Sequence, residues 1–217
     1  MPRFAANLAY LFTERPLIER FAAAAAAGFR AVELQLPYDQ APSAVRAELE
    51  RHGLSVLGVN TAPGQSATGK SGVAAVPGRE QEFAAVFKQA LDYVTAIGGC
   101  QIHCLAGRVP PEQRPAAETT FVRNLAWAAD AAREKNVTVL IEPINPRDRP
   151  DYFLTRAEHA ADIIAKVGAR TFASSSTSIM PRSSAAISSS GSRSIFPSSV
   201  MCRSRPCRRG TSPTKAR

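Results

Sequence analysis

Acidic residues are missing from the last 47 positions of this 217-residue chain: from Thr171 to Arg217 there are seven Arg, one Lys and no Asp or Glu. That stretch carries eight of the nine net positive charges, so the first 170 residues are close to neutral. A charge excess confined to one end argues against a nucleic-acid-binding domain, whose basic residues are spread over a folded face. The same stretch contains 15 Ser. It offers too little apolar surface to offset the entropy of ordering it, and is expected to be disordered. Cysteine is scarce too: Cys100, Cys104, Cys202 and Cys207 include no C-x-x-C spacing and make no disulfide framework in a chain this long. Long apolar runs are absent. The run "FAAAAAAGF" has nine residues, too few to span a bilayer, and follows Glu19 and Arg20. No membrane partner and a cytoplasmic location are therefore expected. No G-x-G-x-x-G follows the first apolar segment, which disfavours a dinucleotide-binding fold.

What is present is alternation. Strand-like segments "RFAANLAY", "AVELQL", "SVLGVNTAPG", "CQIHCLAG" and "VTVLIEPI" are separated by helix-like ones. The helices are expected over Pro16–Ala27, "APSAVRAELERHG", Gly78–Ile97, Glu112–Lys135 and Leu154–Val167, several of them stopped by glycine. A glycine-rich loop, Gly64–Pro77, reads as mobile. Strands separated by helices must pair in parallel, because a tight turn cannot join parallel neighbours. The pattern fits an open doubly wound sheet or part of a closed eight-stranded barrel.

Glu142 stands out chemically. It follows "VTVLI" and precedes Pro143, which ends the strand by removing a donor and forcing its neighbour into an extended conformation. The carboxyl end of a parallel strand is where barrel enzymes place their chemistry, and a carboxylate there can move a proton or ligate a metal. Asn145 is close enough in sequence to support Glu142 by hydrogen bonding. Asn60, in "NTAPG", lies at the same end and could line a substrate site, and His103 reads as a core or pocket-wall residue. Glu33 lies inside a strand and could point into a barrel core, where a charge needs a partner; a salt bridge or a solvated position is its expected setting.

The segments "PRFAANL", "LFTE", "RFAAAAAAGFRAVE", "PYD", "NTAPG", "PGREQEF" and "VLIEPIN" together resemble the hydroxypyruvate isomerase family and the closely related 2-oxo-tetronate isomerases, over Met1 to about Ala169. The resemblance implies a (β/α)8 TIM barrel of the xylose-isomerase type, here incomplete, with about five βα units over residues 1–169 and a disordered tail over 170–217. It implies aldose–ketose isomerisation of a small hydroxy-oxo acid, such as hydroxypyruvate to tartronate semialdehyde in glyoxylate metabolism. Two glutamates on opposite sides of the substrate would exchange the proton, and Glu142 matches the first. Glu142 would also be one ligand of a divalent metal, Mg or Mn, held by two Glu, an Asp and a His or Gln. Asn60, His103 and Asn145 would contact the substrate. An oligomer is compatible with this. A sugar epimerase of the same superfamily, or a protein gripping nucleic acid through its basic tail, are the alternatives.

The family pattern continues with a segment like "NVRLQFDLYHAQ", whose Asp is a ligand, and later a second glutamate; neither stands in the tail. A shifted reading frame accounts for this. Joining the third base of each codon to the first two of the next turns Thr171–Arg182 into V-R-L-Q-F-D-L-Y-H-A-Q. Met180 before Pro181 forces Ala, and Met201 before Cys202 forces Val, both as the family pattern has them. One base lost after Ala169 would produce the tail. The chain as written would then lack most of its metal ligands and the second glutamate, and is expected to be inactive or nearly so.

Overall fold

The computed structural model describes residues 4–65, 71–168 and the backbone of Phe172–Ser174. Short parallel strands alternate with helices throughout: β1 Ala6–Asn7, α1 Leu17–Ala26, β2 Ala31–Glu33, α2 Pro42–Arg51, β3 Ser55–Val56, β4 Gly58–Asn60, α3 Glu80–Ile97, β5 Gln101–His103, α4 Arg114–Arg133, β6 Thr138–Ile141, α5 Ala157–Val167 and β7 Phe172–Ser174. The helices begin and end close to where the sequence places them. Gly98 and Gly168 cap α3 and α5 in the left-handed conformation, with φ of 79° and 65°, which glycine adopts without a Cβ penalty. The fifth helix starts later than expected, at Ala157, because Tyr152, Phe153 and Leu154 are buried in an irregular approach to it.

The strands run in the order β1-β2-β3 and β4-β5-β6-β7, every pair parallel. Backbone hydrogen bonds join the two groups. Leu57 N donates to Val32 O at 2.9 Å, Leu57 O accepts from Cys100 N at 3.0 Å, and Gly58 O accepts from Leu34 N at 3.1 Å. The third expected strand is thus one strand with a bulge at Leu57–Gly58, lying between β2 and β5. A bulge shifts the alternation of side chains by one residue. Val56 and Val59 consequently both face the helices, and Asn60 is left on the other face, level with His103. Gly58 permits the close approach: a Cβ there would lie 2.3 Å from Gln101 O.

The described wall therefore has six strand positions rather than five. Phe172–Ser174 pairs in register with Val139–Ile141, so a sixth strand begins where the tail was expected to be disordered. The open edge of β6 presents donors and acceptors to any extended backbone, whatever its side chains. The rest of that tail lies outside the described residues. The glycine-rich loop also differs from expectation in its second half. Ser71–Ala75 is buried, Gly72 bridges Ala106, and Ala74 N and Ala75 N donate to Leu105 O and Ala106 O.

The core lies between the sheet and the helices. Ala6, Leu8, Val32, Leu34, Val59, Ile102, Val139 and Ile141 meet Phe21, Phe83, Phe87, Phe121, Leu125 and Ile163 there. At about 25 cal/mol per Å2 of apolar surface buried, each such large side chain contributes roughly 1.5–3 kcal/mol. Among the described residues, no helix is long and apolar enough to cross a membrane.

Candidate active site

Alternation along the strands puts the polar residues opposite that core. Asn7 and Glu33 are register partners at the carboxyl ends of β1 and β2. Asn60 and His103 are partners at the ends of β4 and β5. His103 also pairs with Leu140, and Glu142, two residues further along, shares that face one step beyond the end of β6. Five consecutive strand positions thus bring Asn7, Glu33, Asn60, His103 and Glu142 to one end and one face of the sheet.

Glu142 approaches His103, with Oε2 at 3.7 Å from Nδ1. The histidine side chain is 9% exposed and the glutamate 29%. Burial lowers the His103 pKa and outweighs the opposing pull of Glu142, so the imidazole stays neutral and the contact is not an ion pair. His103 Nε2 is buried without a hydrogen-bond partner among the described residues. A neutral imidazole with a free nitrogen can donate to or accept from a ligand oxygen.

Of the two settings expected for Glu33, a salt bridge is not seen among the described residues, and the side chain is half-buried. Its Oε2 accepts from Asn7 Nδ2 at 3.2 Å. Burial, then the negative charge of Glu142, raise its pKa, and the bond from Asn7 lowers it. The register places Glu33 and Glu142 on the same face and at the same end of the sheet.

The surrounding residues hold this arrangement. Tyr38 donates its hydroxyl proton to Asn60 O, and Tyr38 stacks edge-on with Tyr93 at 5.3 Å. Thr61 Oγ1 accepts from Leu105 N at 3.1 Å. Tyr152 Oη accepts from Ala106 N at 2.9 Å. Burial pushes the Tyr152 phenol well above its ordinary range, and the charge of Glu142 pushes the same way. Asn145 does not support Glu142. Its Oδ1 accepts from Arg147 N at 3.0 Å and its carbonyl accepts from Asp148 N and Arg149 N, closing a turn. A short polar side chain two residues from a free N–H bonds locally in preference to reaching for a neighbour.

Glu142, Asn60 and His103, singled out in the sequence, are brought together at these strand ends, and Asn7 and Glu33, not put forward there as site residues, join them. The signal was available: in "FAANL" and "AVEL", Asn7 and Glu33 alternate with apolar residues that face the helices. Among the described residues there is no group of three or more His, Cys, Asp or Glu able to hold a metal ion, so this part of the chain does not by itself fit the expected divalent metal. A groove of about 480 Å3 lined by Phe87, Leu91 and Trp127 lies between α3 and α4, on the outer layer and not at the strand ends.

The model of a family described as xylose isomerase-like TIM barrel matches residues 21–173. The chain is 49% identical over 170 residues to a 2-oxo-tetronate isomerase of Cupriavidus necator, covering 78% of this chain and 65% of that protein. It is 38% identical over 169 residues to a hydroxypyruvate isomerase of Escherichia coli, covering 77% of this chain and 66% of that one. A solved structure described as an AP endonuclease, family 2, from Brucella melitensis is similar with a TM-score of 0.78 and 40% identity, over 80% of this chain and 67% of that one. A D-psicose 3-epimerase of Clostridium cellulolyticum, at 16% identity and a TM-score of 0.64 over 80% of this chain and 62% of that one, shares the fold. The chain thus spans about two thirds of the length of such relatives.

Proposed function

The chain belongs to the xylose isomerase-like TIM barrel family, and from that premise we propose that its chemistry is isomerisation of a small hydroxy-oxo acid, hydroxypyruvate or a 2-oxo-tetronate. The observation that carries this is the placement of Glu142 on the same face and at the same end as Glu33, Asn60 and His103. In this reading the Glu142 carboxylate takes the proton from the carbon that bears the hydroxyl, an ene-diol forms, and the proton returns to the neighbouring carbon. Asn60 and His103 hydrogen-bond the substrate oxygens. The partly dry setting strengthens each of these contacts relative to water.

Glu142 would be one ligand of a divalent metal in a complete donor set, where such an ion would polarise the substrate oxygens. The described residues do not complete that set, so we propose that they do not hold Mg2+ or Mn2+ tightly. Residues 171–217 contain no Asp or Glu, and so cannot provide the aspartate ligand and second glutamate that the family resemblance implies. We therefore propose that this chain turns over slowly or not at all, and that one base restored after Ala169 recovers the reaction. Hydroxypyruvate isomerisation, followed with and without that base, tests both statements. Robust turnover by the unrestored chain would overturn the first, and none by the restored chain the second. Epimerisation of a sugar would use the same proton transfer, but the epimerases found are 15–20% identical and share the fold alone.

A further inference from the structure

Glu33 is a carboxyl group half-removed from water with no cation beside it among the described residues. Such a group is costly unless something else justifies it. The wall of the barrel builds it deliberately. Asn7 Oδ1 accepts from Ala9 N at 3.0 Å, which fixes the amide and leaves Nδ2 no choice but to aim at Glu33. Asn7 thus holds one oxygen of Glu33, at 3.2 Å, from its register-partner position on β1. The other oxygen makes no hydrogen bond or ion pair to any described residue. Glu142 is a like charge on the same face of the sheet, at the same strand ends.

We propose that Glu33 is a specificity-determining residue that takes the terminal hydroxyl of the bound acid, so that the substrate lies between the carboxyl groups of β2 and β6. The geometry also sets the direction of binding. A substrate carboxylate pointed at Glu33 would meet two negative groups, whereas a hydroxyl can donate to the free oxygen. The acid end therefore points away from the Asn7–Glu33 pair. Truncating Glu33 should remove a preference for hydroxylated acids, since a site made to bond a hydroxyl rejects the analogue that lacks it by leaving its own polar group unpaired. The inference rests on the isomerase reading for its choice of ligand, but its test reads binding and needs no turnover.

The probes are glycerate and lactate, which differ by the terminal hydroxyl, titrated by calorimetry into the full chain and its E33A and E33Q variants. The expected result is that the parent binds glycerate at least ~10-fold more tightly than lactate and that E33A binds both alike. E33Q, which keeps the shape and the bond from Asn7, guards against loss of fold and is expected to keep part of the preference. An unchanged glycerate-to-lactate ratio in a folded E33A would overturn the proposal while leaving the isomerase reading intact. Binding of neither probe by the parent would overturn it as well. Failure of the frame-restored chain to isomerise hydroxypyruvate, with the E33A effect present, would remove the isomerase reading and leave the hydroxyl contact standing.

Discussion

The two faces of one strand set follow opposite rules. On the face toward the helices, Ala6, Val32, Val59, Ile102, Val139 and Ile141 are apolar and at most 2% exposed. On the other face, at the strand ends, Asn7, Glu33, Asn60, His103 and Glu142 are polar, and the carboxyl of Glu33 and the imidazole of His103 are both shifted toward their neutral forms by burial. One face holds the sheet to its helices, and the other keeps polar groups in a setting that costs stability. The proposed site lies on the face where stability is lost.

Substitutions can break this contrast. Ile102→Ala, on the helix-facing side, should cost about 2–5 kcal/mol in denaturant unfolding, the range for a fully buried aliphatic side chain that leaves a cavity. A cost below about 1 kcal/mol would show that the two faces are not separated as described. Gly58→Ala comes next. The added Cβ meets the Gln101 carbonyl, and forcing room for it should cost about 1–3 kcal/mol and disturb the Asn60–His103 register. Chemical shifts of the Asn60 and His103 amides that stay at their parent values would contradict the bulge's role in aiming Asn60.

Glu33→Gln sharpens the contrast with a smaller effect of opposite sign. Burial and Glu142 raise the Glu33 pKa in the folded state. The folded protein then binds more protons than the unfolded one, so stability is lost as pH rises from the unfolded carboxyl pKa through the folded one. The penalty grows as pH rises toward neutral and is absent in acid below the unfolded value. The variant should therefore melt higher than the parent at pH 7 and no higher at pH 4. Equal melting differences at the two pH values would mean that Glu33 is not held against solvation.

Much of the architecture was legible in the sequence because its signals are local. Glycines 98 and 168 stop helices, and Pro143 marks the end of a strand just before Glu142. The site was legible only where a residue stood at a marked strand end. Asn60 and Glu142 precede or adjoin turns, whereas Glu33 sits in "AVELQL" with nothing in its neighbours to report Asn7 beside it or Glu142 on the same face of the sheet. Those relations depend on register between strands far apart in sequence. Asn145 went wrong for the converse reason: nearness in sequence suggested a partner, and a turn used the side chain first. The sixth strand was hidden because its pairing follows from the open backbone edge of β6, while the stretch that Phe172–Ser174 begins has no strand-like periodicity in the sequence.

The central claim is that Glu142 moves a proton on a substrate held at these strand ends. The direct measurement is deuterium wash-in to hydroxypyruvate from D2O, by NMR, with the frame-restored chain and its Glu142→Gln variant. The account predicts exchange at the hydroxyl-bearing carbon in the restored chain and a loss of about 10^2-fold or more in the variant. Exchange at the same rate in both would contradict it.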